Sequence, residues 1–134
     1  MSKSHKVLHF GILVLTVEKM LQHLLTVVFF VMVVPSLGGS PDIGPTFQFS
    51  DTTMGVLNAI VLILFGVAFW GRLYIKPWNK PLLVSLSVFD ILAEFVFHGF
   101  FFITVSVIVA VVLLILIKLD ADKSKQGDSH SHKT

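Results

Sequence analysis

Cysteine is absent from the 134 residues. Without a thiol there is no disulfide, no thiolate nucleophile, and no Cys-ligated zinc or iron–sulfur cluster. Charge is scarce too. Asp, Glu, Lys and Arg make up 13% of the chain, about half the roughly 25% usual in soluble domains. Too little polar surface remains to coat a soluble domain. Whole-chain disorder is excluded as well, because it needs low hydrophobicity and high net charge. A net charge of +2 is too small for a nucleic-acid partner, which needs a clustered basic face. No phosphate-binding G-x-x-x-x-G-K, dinucleotide-binding G-x-G-x-x-G, hydrolase G-x-S-x-G or zinc-protease H-E-x-x-H occurs. A glycosylation sequon, a prenylation box and an internal repeat are also lacking.

What is abundant is apolar. Hydrophobic residues account for 54% of the chain, with 13 Phe, and the mean hydropathy is +0.88. The class this composition fits is a small integral membrane protein of the plasma or inner membrane.

Residues 7–34 form one apolar run, interrupted by His9, Thr16, Glu18, Lys19, Gln22, His23 and Thr26. As one helix it would be about 42 Å long, against a hydrocarbon core of about 30 Å. Counting back from Val34 places the span at about 15–34, with Glu18 and Lys19 near the headgroups, where they can snorkel. A signal peptide fits poorly, since its apolar core is only about 7–15 residues long. Next comes a loop from Pro35 to Asp51, rich in Pro and Gly and free of Lys and Arg. A second span follows at about 54–71. The connection after it holds Arg72, Tyr74, Lys76, Trp78 and Lys80, the composition of an interfacial anchor.

From Leu82 to Leu119 the chain is too long for one span. Gly99 is its only helix breaker, which predicts spans at about 82–98 and 100–119 with a tight turn between them. Residues 1–119 then form a single transmembrane bundle, and 120–134 a polar, disordered tail. The expected fold is thus all-α, a four-helix membrane bundle. Four spans put every Lys and Arg on one side, so both termini are expected to be cytoplasmic. A three-span alternative, with 82–98 lying in the interface, would place the cationic tail outside, against that charge bias.

The third span carries the chemistry. Ser87, Asp90, Glu94 and His98 recur every three or four residues, which aligns them on one helix face. Charges near the bilayer centre cost roughly 2.5–3.5 kcal/mol each and need partners. Depth counting supplies some. His23 and Asp90 each lie about 12 Å from the inner face. Asn58 falls near the level of Glu94. A polar seam of His23, Asn58, Ser87, Asp90 and Glu94 between helices is therefore expected. Asp90, Glu94 and His98 also form a candidate metal set, since carboxylates and imidazole suit Zn, Cu, Fe or Mn. The same residue types serve as a proton or cation relay. Haem held by two His is disfavoured, because His23 and His98 differ by about 12 Å in depth. No cofactor is expected beyond such a metal ion. The pairs His5/His9 and His130/His132 read as interfacial or solvated residues. The aromatic cluster Phe95, Phe97, Phe100, Phe101 and Phe102 reads as lipid-facing or core packing.

Lys19, Gly66, Arg72 and His98 resemble the plan of small four-span DoxX-like proteins: a Lys in helix 1, Gly and Arg late in helix 2, and His ending helix 3. The apolar run after Lys19 is much longer than that plan implies, and the chain is not assigned to the family.

With only a loop and two tails outside the bilayer, there is little room for an active site. The expected role is a non-catalytic accessory subunit of a larger membrane complex, such as a redox complex. The alternative is a small proton- or metal-ion-handling protein that uses the stripe on helix 3. The expected partners are the lipid bilayer and either other membrane subunits or further copies of the chain.

Overall fold

The computed structural model describes residues 3–38, 50–98 and 104–131, with side chains for 3–38, 50–97 and 104–126. Among these residues the helices account for all the regular secondary structure, joined by short turns. Helix α1 comprises Lys3–Val28, a π-helical segment Phe29–Val33 and a last turn Val34–Ser36. Helix α2 is Asp51–Leu73, α3 is Asn79–His98 and α4 is Val105–Ser131.

The helix ends follow from local chemistry. Pro35 has no N–H to donate and its ring crowds the carbonyl four residues back. The helix widens into the π segment just before it, and Gly38 then takes a positive φ of 82° beyond the final turn. Ser50 caps α2 by accepting from the Thr53 N–H at 3.3 Å, and Asp51 sits in the first turn, where a negative charge meets the positive helix end. At the far end of α2, Ile75 N–H donates to Arg72 O at 3.2 Å and Lys76 N–H to Gly71 O at 2.8 Å. This closing motif puts its third residue in the left-handed region, and that residue is Ile75 at φ 52°. A β-branched side chain there costs roughly 1–2 kcal/mol. Pro81 lies in the first turn of α3, where its missing N–H does no harm.

The helices pack in a ring. Each lies against its neighbours in sequence, and α4 closes against α1. Contacts fix the directions: Met20 faces Gly66 and Val31 faces Gly55, so α1 and α2 are antiparallel. Every helix buries one stripe. In α1 it is Ile12, Thr16 and Lys19, and in α4 Val107, Ala110, Leu113, Ile117 and Asp120, both at steps of three and four residues. Ile12, Val61, Phe65, Ala68, Leu83, Leu86, Leu113 and Ile117 form the apolar core. The outward faces are apolar as well. Phe10, Leu25, Met32, Ile63 and Leu92 are all exposed, far beyond the patches a soluble surface carries. Two helices, Lys3–Ser36 and Asp51–Leu73, are long and apolar enough to cross a membrane.

Helix α1 begins at Lys3, α2 at Asp51 and α3 at Asn79, each enclosing the corresponding expected span. Arg72 belongs to the last turn of α2, not to the connection after it. The expected disordered tail from Asp120 is corrected: α4 continues through Ser131. Its residues include good helix formers such as Ala121, Lys123, Lys125 and Gln126, and Asp120 anchors the start of this extension in the bundle. The Gly99 turn, Phe100, Phe101, Phe102 and most of the loop from Pro35 to Asp51 lie outside the described residues.

Gly71 is held to its identity by Trp78, which folds back over it. A Cβ at this position would meet the Trp78 ring at 2.5 Å. Gly71→Ala should therefore lower the detergent unfolding midpoint, at a cost of about 1–3 kcal/mol of overpacking. Combining it with Trp78→Leu should remove most of that penalty, and equal penalties in the two backgrounds would reject the contact.

Candidate functional site

The stripe of α1 runs Ile12, Thr16, Lys19, His23 at helical spacing, so its polar half enters the interior. There it meets polar residues from the other three helices. Lys19 is fully buried. Its ammonium lies 2.9 Å from Asp90 Oδ2 on α3 and donates to the carbonyl and hydroxyl oxygens of Ser106 on α4, both at 2.7 Å. Gln22 Oε1 lies at 3.3 Å from the same nitrogen, and the Gln22 amide donates to Glu18. On the other side of Asp90, His23 Nε2 lies 3.1 and 3.3 Å from the two carboxylate oxygens. His23 Nδ1 is 2.9 Å from Asn58 Oδ1 on α2, and the ring stacks on Phe65 at 5.5 Å. One hydrogen-bonded chain thus links Glu18, Gln22, Lys19, Asp90, His23 and Asn58.

Its protons can be placed. Asn58 Nδ2 donates to Met54 O at 2.9 Å, which turns Oδ1, an acceptor, toward His23. His23 Nδ1 must then carry a hydrogen. Nε2 faces two carboxylate oxygens, a contact that needs a second hydrogen, either on Nε2 or on the carboxyl. The contact between His23 and Asp90 is thus held by one hydrogen-bonding hydrogen.

Of the seam residues, His23, Asn58 and Asp90 are in direct contact. Ser87 is fully buried one turn before Asp90, and its hydroxyl has no hydrogen-bond partner among the described residues. Glu94 is half-buried one turn beyond Asp90. His98 ends α3, and its side chain lies outside the described residues. Among those residues, no group of three His, Asp or Glu side chains could hold a metal ion.

Lys19 corrects the expectation that it snorkels to the headgroups. Its spacing of four from His23 is the signal that places both on one face. Ser106 is a further member with no distinctive sequence signal.

A second cluster closes the opposite end. Asp120 is fully buried. One of its oxygens meets Arg72 Nη1 at 3.0 Å and Lys80 Nζ at 3.2 Å, while His5 Nε2 lies 3.5 Å from the other. One carboxylate thus gathers all four helices. Burial opposes its charge, but the hydrogen bond and charge of Arg72 and those of Lys80 outweigh burial and hold its carboxyl below the ordinary value. The apolar core lies between the two clusters.

In comparisons with known proteins, no family model, curated protein or solved structure matches the chain.

Two outcomes are expected. Lys19→Met or Asp90→Leu alone strands a buried charge and should destabilise by about 3–5 kcal/mol. The double variant should cost much less than the sum, and additive losses in detergent unfolding would reject the pair. For Asp120, a lowered folded value means its stabilisation is complete above the ordinary unfolded value of about 3.9 and fades as pH falls through the folded value. The stability gap between wild type and Asp120→Asn should be wide at pH 7 and shrink below about pH 4. A gap unchanged by acid would contradict the assignment.

Proposed function

We propose that the chain is a four-span membrane protein with both termini cytoplasmic, and that its internal Lys19–Asp90–His23–Asn58 network handles protons. Two observations support the spans: the apolar exterior and two helices long enough to cross. The placement of every Lys and Arg other than Lys19 in the two terminal segments and the connection after the second span supports the orientation. The observation that carries the function is the contact of His23 Nε2 with the Asp90 carboxylate at 3.1 Å, beside a buried ammonium. Ionisable groups inside a membrane bundle are costly, and relay chemistry is a principal use for them. All the key partners come from within the chain, so the stripe needs no second protein to bury it. The apolar core seals the network from the Asp120 end, which favours uptake and release from the opposite end over an open pore.

The second reading, an accessory subunit of a larger membrane complex, draws on the same exterior. Apolar side chains cover the outer faces of all four helices, and a partner subunit could cover them as lipid does. The two readings separate on purification in mild detergent, where co-purifying foreign subunits favour the second.

The proton reading is tested by difference infrared spectroscopy of the reconstituted protein across a pH jump. A carboxylic acid band should appear on acidification, vanish in Asp90→Asn and move in His23→Asn. A band unaffected by both changes would sink the reading.

A further inference from the structure

We infer that the Asp120 end of the bundle is a docking surface for anionic phospholipid headgroups, an inference that rests on the membrane reading above. From Met20 to Gly71, and again from Pro81 to Ile117, the chain contains no Lys or Arg. The cations are therefore crowded into the segments that the Asp120 cluster brings to one level. His5, Arg72 and Lys80 meet there on a single carboxylate.

Lys3, Lys6, Lys76, Lys118, Lys123 and Lys125 are all exposed around this end. Lys123 reaches Ser4 on α1, which closes the rim between the first and last helices. The exposed acid among them is Asp122. Asp120 cannot offset the rim, because Arg72 and Lys80 already overcompensate it.

Three aromatic side chains sit beside these lysines. Trp70 is 53% exposed, Tyr74 63% and Trp78 38%. Trp70 lies 5.2 Å from the Tyr74 ring and 6.4 Å from the Trp78 ring. Indole and phenol groups settle at the headgroup level, with an apolar body in the chain region and a polar edge in the wet layer. They set the depth of this end so that the lysines stand at the phosphates. Lysine ammonium groups on flexible stems suit a diffuse layer of phosphodiester charge better than one shaped ligand. The occupant that fits both the charge and the aromatic depth marker is a lipid surface carrying net negative headgroups.

The test uses the full chain purified in neutral detergent and titrated separately with phosphatidylglycerol, phosphatidylcholine and inorganic phosphate, reading the thermal unfolding midpoint. Phosphatidylglycerol should raise the midpoint at concentrations where phosphatidylcholine does not. High salt should remove most of the rise, since exposed charges are screened. The triple variant K76Q/K118Q/K125Q should keep its lipid-free midpoint and lose at least about tenfold in apparent affinity for phosphatidylglycerol. Equal responses to the two lipids, or an equal rise with inorganic phosphate, would overturn the inference. Flotation with phosphatidylcholine vesicles is run alongside. A chain that floats but shows no lipid preference refutes only this inference, whereas one that fails to float refutes the membrane reading beneath it.

Discussion

The ion pair between Lys19 and Asp90 constrains the rest of the bundle. Neither charge can sit alone in an apolar interior, so α1 and α3 must face each other in one rotational setting. That setting delivers His23 to the other side of the same carboxylate and brings Asn58 and Ser106 in from the remaining helices. Replacing such a pair by well-packed hydrophobic residues is often neutral or favourable for stability. Its presence in a chain so poor in charge therefore fits a use for the charge better than a need for glue.

The polar groups are not spread along the interior. They form two layers, one around Asp90 and one around Asp120, with Ile12, Phe65, Leu83 and Leu113 between them. The first layer sets a carboxylate between an imidazole and an ammonium. The second pairs a carboxylate with strong bases and holds it ionised. Each layer centres on one carboxylate with an imidazole and a strong base beside it, and the second adds a guanidinium, which keeps its charge at any ordinary pH.

Much of the helical plan is legible in the sequence, because long apolar runs broken by Pro, Gly and polar loops leave few alternatives. The contact between His23 and Asp90 follows from depth counting alone, since both lie equally far into their spans. Lys19 escapes that count. Measuring 20 residues back from Val34 gives a depth but no rotational setting, whereas the buried face of α1 is set by the spacing of Lys19 from Ile12 and Thr16. Asp120 escapes for a related reason. Composition marks it as the first residue of a polar tail, but its three cationic partners come from segments 40 or more positions away in sequence, and no local pattern reveals such a meeting. The stripe on α3 also divides in a way that periodicity does not show, with Asp90 in the network and Glu94 half-buried one turn further on.

The single carboxylate of Asp120, which touches one side chain from each of the other three helices, has a mechanical consequence. It works like the rivet of a pair of tongs. Helices joined at one end by a shared charge cannot slide past one another there without breaking several contacts together. Relative motion must grow with distance from that joint, so a small tilt of α1 against α3 moves the Lys19–His23 segment more than it moves His5. At the far end that tilt is opposed by the Lys19–Asp90 pair, so α1 and α3 are tied twice, once at each end of the apolar core.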